Sequence, residues 1–243
     1  EDLVLDVKTG SGAFMATPDE ARALTESLVS VANGAGLKTS ALITDMDEPL
    51  ASAAGNAVEV MNAVLYLKGE YRDRRLHEVT VALGAQLLML ARVASTHDEA
   101  RAMLDRALSS GKAAEAFAAM VVALGGPVDF LEAPQRHLAA APLIRDVHPE
   151  VSGTVAAIDT RAIGLAVIAL GGGRRVASDR IDHAVGFTGL AGKDAAVGKD
   201  QPLATVHARD EDAFEKAAAA LRKAYRLGES PAASGPVIDR IGA

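Results

Sequence analysis

Cysteine and tryptophan are both absent from the chain. Without cysteine there is no disulfide, no thiolate nucleophile and no cysteine-ligated zinc, a usage that fits a cytoplasmic protein. Aromatic residues make up only 3%, too few for a platform on which single-stranded nucleic acid could stack. Positive charge is also short: 25 Lys and Arg face 32 Asp and Glu, a formal net charge of −7. A surface that binds phosphate backbones needs a basic face, so no nucleic-acid partner is expected. No apolar run reaches the roughly 18 residues that cross a bilayer. The opening residues are acidic and strand-like, unlike a secretory leader, and no membrane partner is expected.

What the chain has is apolar mass. Hydrophobic residues are 49% of 243, enough for one large core or two modest ones. The run Leu3–Val7 reads as a buried strand, and it leads straight into the glycine turn "KTGSGAF". A strand apolar on consecutive residues belongs inside a parallel sheet. It is therefore expected to be central, and to show an exposed apolar edge where neighbours are lacking. Next, Thr17, Pro18 and Glu20 form a helix start with a capping box. Leu24, Leu28 and Val31 share one face of that helix, and Gly34 or Gly36 ends it. "LKTSALITDM" follows as a second buried strand. Strand, loop, helix, strand predicts a βαβ unit with parallel strands.

From Gly55 to about Leu124 the pattern is helical. One helix stops at Gly69. A second carries Leu76, Val79, Leu83, Leu87 and Leu90. A third opens on a Thr96–Glu99 capping box, and a shorter one holds Phe117 and Met120. Pro127, Pro134 and Pro142 mark a loop-rich connection. The last third reads as short strands ("VSGTVAAIDT", "PLATVHA"), an apolar helix ("RAIGLAVIAL") and an amphipathic helix ("EDAFEKAAAALRKAYRL"). "AVGKDQPLATVHA" has the form of a strand pair around a Gly-Lys turn. The fold class is therefore α/β: a partial mixed or parallel sheet with surrounding helices, then a smaller α+β module. The divisions fall at 1–125, 126–147 for the connection, and 148–243.

Chemistry is sparse. The six histidines, His77, His97, His137, His148, His183 and His207, never stand at the i, i+3 or i, i+4 spacing of a helical metal site. Asp45, Asp47 and Glu48 cluster just past a strand, as a cation site or a solvated turn, and spacing favours the turn. "GSG" lacks the third glycine of a dinucleotide fingerprint and the Lys-Ser/Thr of a P-loop. It is either a tight turn or a turn that lets a ligand reach Phe14. "GGGRR" at Gly171–Arg175 reads as a glycine-capped helix terminus with exposed arginines.

Five segments then stand together: "LDVKTGSGAFM", "TDMDEPLASAAGNAVEV", "LKGEYRDRRLHEVTVAL", "DTRAIGLAVIALGGGRRVASDRIDHAVGF" and "QPLATVHARDE". In this order, and over almost the whole chain, they resemble the thymidine phosphorylase or pyrimidine-nucleoside phosphorylase family. The resemblance implies a glycosyl (pentosyl) transfer in which thymidine and phosphate give thymine and 2-deoxyribose 1-phosphate. The partners it implies are a pyrimidine nucleoside and phosphate, the latter as co-substrate with no further organic cofactor. Family members carry an N-terminal helical domain with homodimer contacts, a glycine-rich phosphate segment, and base-clamping arginine, serine and lysine. All of these are expected to lie upstream of Glu1. The chain is thus expected to be a C-terminal portion without catalytic residues, inactive alone. The alternatives are a phosphorylase of broader pyrimidine specificity and a non-catalytic assembly half of a split enzyme.

The resemblance also assigns residues. Phe14, with the turn Gly10, Ser11 and Gly12, matches the apolar position of the pyrimidine pocket. Leu50 and Ala53 match carbonyls of a potassium site, and Asn62 stands where that site has a glutamate, which would weaken it or abolish it. The late segments are similar to biotinyl and lipoyl barrel-sandwiches, but no Met-Lys-Met accompanies them. A scaffolding role over the active-site cleft is expected instead.

Overall fold

The computed structural model describes residues 1–229 and 235–242. The opening unit is βαβ. Strand β1 (Asp2–Thr9) leads through the glycine turn to helix α1 (Pro18–Gly34), and α1 leads to strand β2 (Lys38–Asp45). β1 and β2 are parallel, in register from Asp2 opposite Lys38 to Thr9 opposite Asp45. The capping box at α1 is complete: Thr17 accepts from the Glu20 N–H, and the Glu20 carboxylate accepts from the Thr17 N–H. α1 turns Ala21, Thr25 and Val29 to the sheet, where Ala21 packs with Val7 and Ile43. Small side chains allow this close approach, and the face with Leu24, Leu28 and Val31 points outward.

β2 is the central strand, buried from Thr39 to Asp45. Its other side pairs antiparallel with β10 (Val237–Ile241), so the sheet order is β1-β2-β10. β1 is accordingly an edge strand among the described residues, with Leu3, Val4 and Leu5 half-buried. A part-exposed apolar edge is as expected where neighbours are lacking.

A short strand β3 (Ala53–Gly55) precedes helices α2 (Ala57–Lys68), α3 (Arg74–Leu90), α4 (His97–Ser109) and α5 (Lys112–Ala123). α2 ends on Gly69 in the left-handed region, as its sequence indicates. The Thr96–Glu99 box is only half formed. Thr96 accepts from the Glu99 N–H, but the Glu99 carboxylate takes the N–H of Ser95.

The proline-rich connection contains a 3-10 turn (Pro134–Arg136) and a strand the sequence reading leaves out, β4 (Leu143–Val147). Beyond it come β5 (Gly153–Ile158), α6 (Thr160–Leu170), β6 (Gly186–Thr188), β7 (Ala196–Val197), β8 (Ala204–Ala208), α7 (Glu211–Ala224) and β9 (Tyr225–Leu227). They form two small sheets, β3-β6-β8-β4 and β7-β5-β9, each with antiparallel neighbours. The strand pair expected within "AVGKDQPLATVHA" is not made. β7 pairs with β5 and β8 lies between β6 and β4, because each finds its apolar partner across the core rather than across the turn. Both sheets and helices α6 and α7 share one core, with Val155, Ile163, Phe187, Val206 and Leu221 at its centre. The architecture is mixed α/β with no closed barrel among the described residues. Two strands tie its ends together: β3 joins the second sheet and β10 the first.

Candidate functional site

Open α/β sheets bind ligands beyond the carboxyl ends of their strands. Here β1 and β2 end side by side at Thr9 and Asp45, and two turns follow. Backbone bonds lock the turns together: Met46 N–H donates to the Thr9 carbonyl at 2.7 Å, and Gly12 N–H to the Met46 carbonyl at 3.0 Å. The Ser11 N–H donates to Asp47 Oδ1 at 2.7 Å. Gly10 has φ of +109°, and a Cβ there would stand 2.6 Å from Asp47 Oδ1. Both the backbone conformation and the crowding therefore require glycine. Past this turn Phe14 projects into solvent, 92% exposed.

The acids are not the solvated turn that spacing favours. Asp45 and Glu48 are buried, and Arg75 near the start of α3 forks between them, at 3.3 Å from Asp45 and 3.0 Å from Glu48. Lys193 completes the group. Its backbone N–H donates to Glu48 Oε2 at 2.8 Å, and its ammonium lies 3.8 Å from Asp45. Only Asp47 stays exposed. Two carboxylates thus face two cations in a low-dielectric place where neither pair partner could be left alone cheaply. A cleft of about 610 Å³ opens over this group, bordered also by Leu50, Ser52, Asp73 and Arg74. Sequence reasoning finds Asp45 and Glu48 but misses Arg75 and Lys193. The missed signal is that buried acids demand cations, although the sequence does not say which ones.

The residues assigned to potassium lie along the same segment. Leu50 borders the polar cleft, whereas Ala53 and Asn62 border a second, mostly apolar cavity of about 470 Å³. Asp73 organises the ground between the two. Its Oδ2 accepts from the Ser52 N–H and the Asn62 amide, both at 3.0 Å, and from the Ser52 hydroxyl at 3.2 Å. Its Oδ1 accepts from the Tyr71 hydroxyl at 3.0 Å. On the far wall of the apolar cavity, the His207 ring lies 2.9 Å from the Thr188 hydroxyl, and burial pushes its pKa below the usual imidazole range. Among the described residues no three His, Asp or Glu side chains gather as metal ligands. Phe14 borders neither cavity, so the structure brings the turn and the acidic group together but leaves the ring outside them.

Residues 1–114 match the profile of the a/b domain of a glycosyl transferase family, and residues 154–228 match that of the pyrimidine nucleoside phosphorylase C-terminal domain. The two matches follow one another along the chain, so it is similar to an a/b domain of this kind followed by this C-terminal domain. The chain is also 51% identical, over 242 residues, to a thymidine phosphorylase of Burkholderia lata; the match takes in all of this chain and 55% of that protein. The chain is thus similar to a pyrimidine-nucleoside phosphorylase over its whole length and spans about half the length of that relative.

Proposed function

We propose that this chain takes part in phosphorolysis of a pyrimidine nucleoside, thymidine first among substrates. In this reaction the bond between the sugar C1′ and the base nitrogen breaks. The base leaves with the electron pair and takes up a proton, while a phosphate oxygen bonds to C1′. The identity to a thymidine phosphorylase supports the reading. The observation that carries it is the glycine turn at the carboxyl ends of two parallel strands, presenting Phe14 at the sheet edge. An apolar ring there can meet the pyrimidine face or its 5-substituent and so fix the base without a hydrogen bond.

The cations of the acidic group support a division of labour. Arg75 and Lys193 are held by Asp45 and Glu48, so their charge is already balanced. Catalysis of this step needs donors aimed at the departing base and a positioned phosphate dianion. We read these as supplied by residues other than those of this chain, which alone is expected to be inactive. In the same reading the active protein is a homodimer in the cytoplasm. Potassium is held weakly or not at all, a view supported by the hydrogen bond from the Asn62 amide to Asp73. The test is phosphate-dependent thymine release by the purified chain, compared with the protein that also contains the remaining half. Turnover by the chain alone, with host phosphorylase removed, would refute the division of labour.

A further inference from the structure

The turn that carries Phe14 is gripped from two sides, and the second grip comes from residues nearly 150 positions later. On the first side, Asp47 and the Met46 carbonyl hold the N–H groups of Ser11 and Gly12. On the second, the Ser11 hydroxyl donates to the carbonyl of Ile158, the last residue of β5, at 3.1 Å. It also accepts from the N–H of Thr160, the first residue of α6, at 3.5 Å. Gly12 is wedged into the same junction, where an added Cβ would stand 2.8 Å from Thr160 Cγ2 and 2.9 Å from Met46 Cγ. We propose that Ser11 is a positioning residue: it ties the turn bearing Phe14 to the β5–α6 junction, so that the C-terminal sheets set where the ring sits.

The junction is a firm anchor. Ile158 pairs with Tyr225 of β9, and the Asp159 N–H donates to the Ala224 carbonyl at 2.8 Å. Asp159 also caps α6 by accepting from the Ala162 N–H. Tyr225 in turn donates its hydroxyl to the Ala191 carbonyl, two residues from Lys193. A glycine-flanked turn with an exposed ring would sample many conformations by itself. Anchoring it from two sides at Ser11 and Gly12 restricts that freedom before a ligand arrives, which lowers the cost of binding. The functional sense of this clamp rests on the reading that Phe14 meets the base; the clamp itself does not.

The absence of tryptophan supplies the probe, since Phe14→Trp makes the only indole in the chain. In the otherwise native chain, Ser11→Ala should speed amide exchange at Gly12 and Ala13 by on the order of 2- to 10-fold, the effect of one lost hydrogen bond. In the Phe14→Trp background it should lower the fluorescence anisotropy of Trp. Ser11→Thr, which keeps the hydroxyl, should restore both, and the thermal midpoint should report an intact fold throughout. No change with Ser11→Ala, or a change that Ser11→Thr leaves in place, overturns the proposal. Neither readout needs nucleoside or turnover. A positive result beside a failed thymidine assay would therefore keep the clamp and discard the base contact.

Discussion

Gly10 and His207 show how much single positions decide. Any side chain at Gly10 must adopt φ of +109° and displace Asp47, whose carboxylate holds the neighbouring N–H. Gly10→Ala should cost roughly 1–3 kcal/mol, the range for a non-glycine residue in a sparsely populated conformation, read as a lower midpoint in urea. His207 makes a pH prediction. Burial depresses its folded pKa, so between the folded and unfolded values the unfolded chain binds the extra proton. The contribution to stability is thus complete above the unfolded value of about 6.5 and is lost as pH falls through the folded one. Thermal melts across that window should show the parent losing midpoint on acidification more steeply than His207→Gln. Parallel curves would mean that the imagined cost of charging this ring is absent.

Between elements, one link is the group formed by Asp45 at the end of β2, Glu48 after it, Arg75 on α3 and Lys193 in the loop before β7. Arg75→Met removes the fork and leaves two buried carboxylates short of a cation. Loss of about 3 kcal/mol is expected, measured by urea unfolding, and Arg75→Lys should recover only part of it because an ammonium cannot fork. This group also marks the limit of what the sequence tells. The βαβ unit, the Thr17 box, the Gly69 stop and the glycine turn are legible because each is specified by residues within a few positions of one another. Arg75 and Lys193 are not legible as partners, since they lie 30 and 148 positions from Asp45 and only the tertiary fold brings them there. The partner of β7 escapes for the same reason: its two residues pair with a strand some forty positions earlier rather than across the Gly-Lys turn, on a signal no local pattern contains. The outward Leu24–Val31 face shows the converse error, where helical periodicity is real but the sheet selects the face with smaller side chains.

At the scale of the whole molecule, a C-terminal two-sheet core, with Phe187 fully buried in it, holds the Gly10–Gly12 turn at the edge of a mixed sheet through Ser11. Phe187→Ala should destabilise by about 3–5 kcal/mol and should loosen the turn as well, which amide exchange at Gly12 would register. The central claim concerns the base, and its most direct test is steady-state phosphorolysis by the protein containing this chain. The measurement is kcat/KM for thymidine and deoxyuridine, with Phe14 intact and as Phe14→Ala. The account predicts phosphate-dependent release of base and a loss on the order of 1–3 kcal/mol in kcat/KM on truncation, larger for thymidine than for deoxyuridine if the ring touches the 5-methyl group. Unchanged kinetics for both substrates in a stably folded Phe14→Ala protein, or no phosphate-dependent release from the parent, would contradict it.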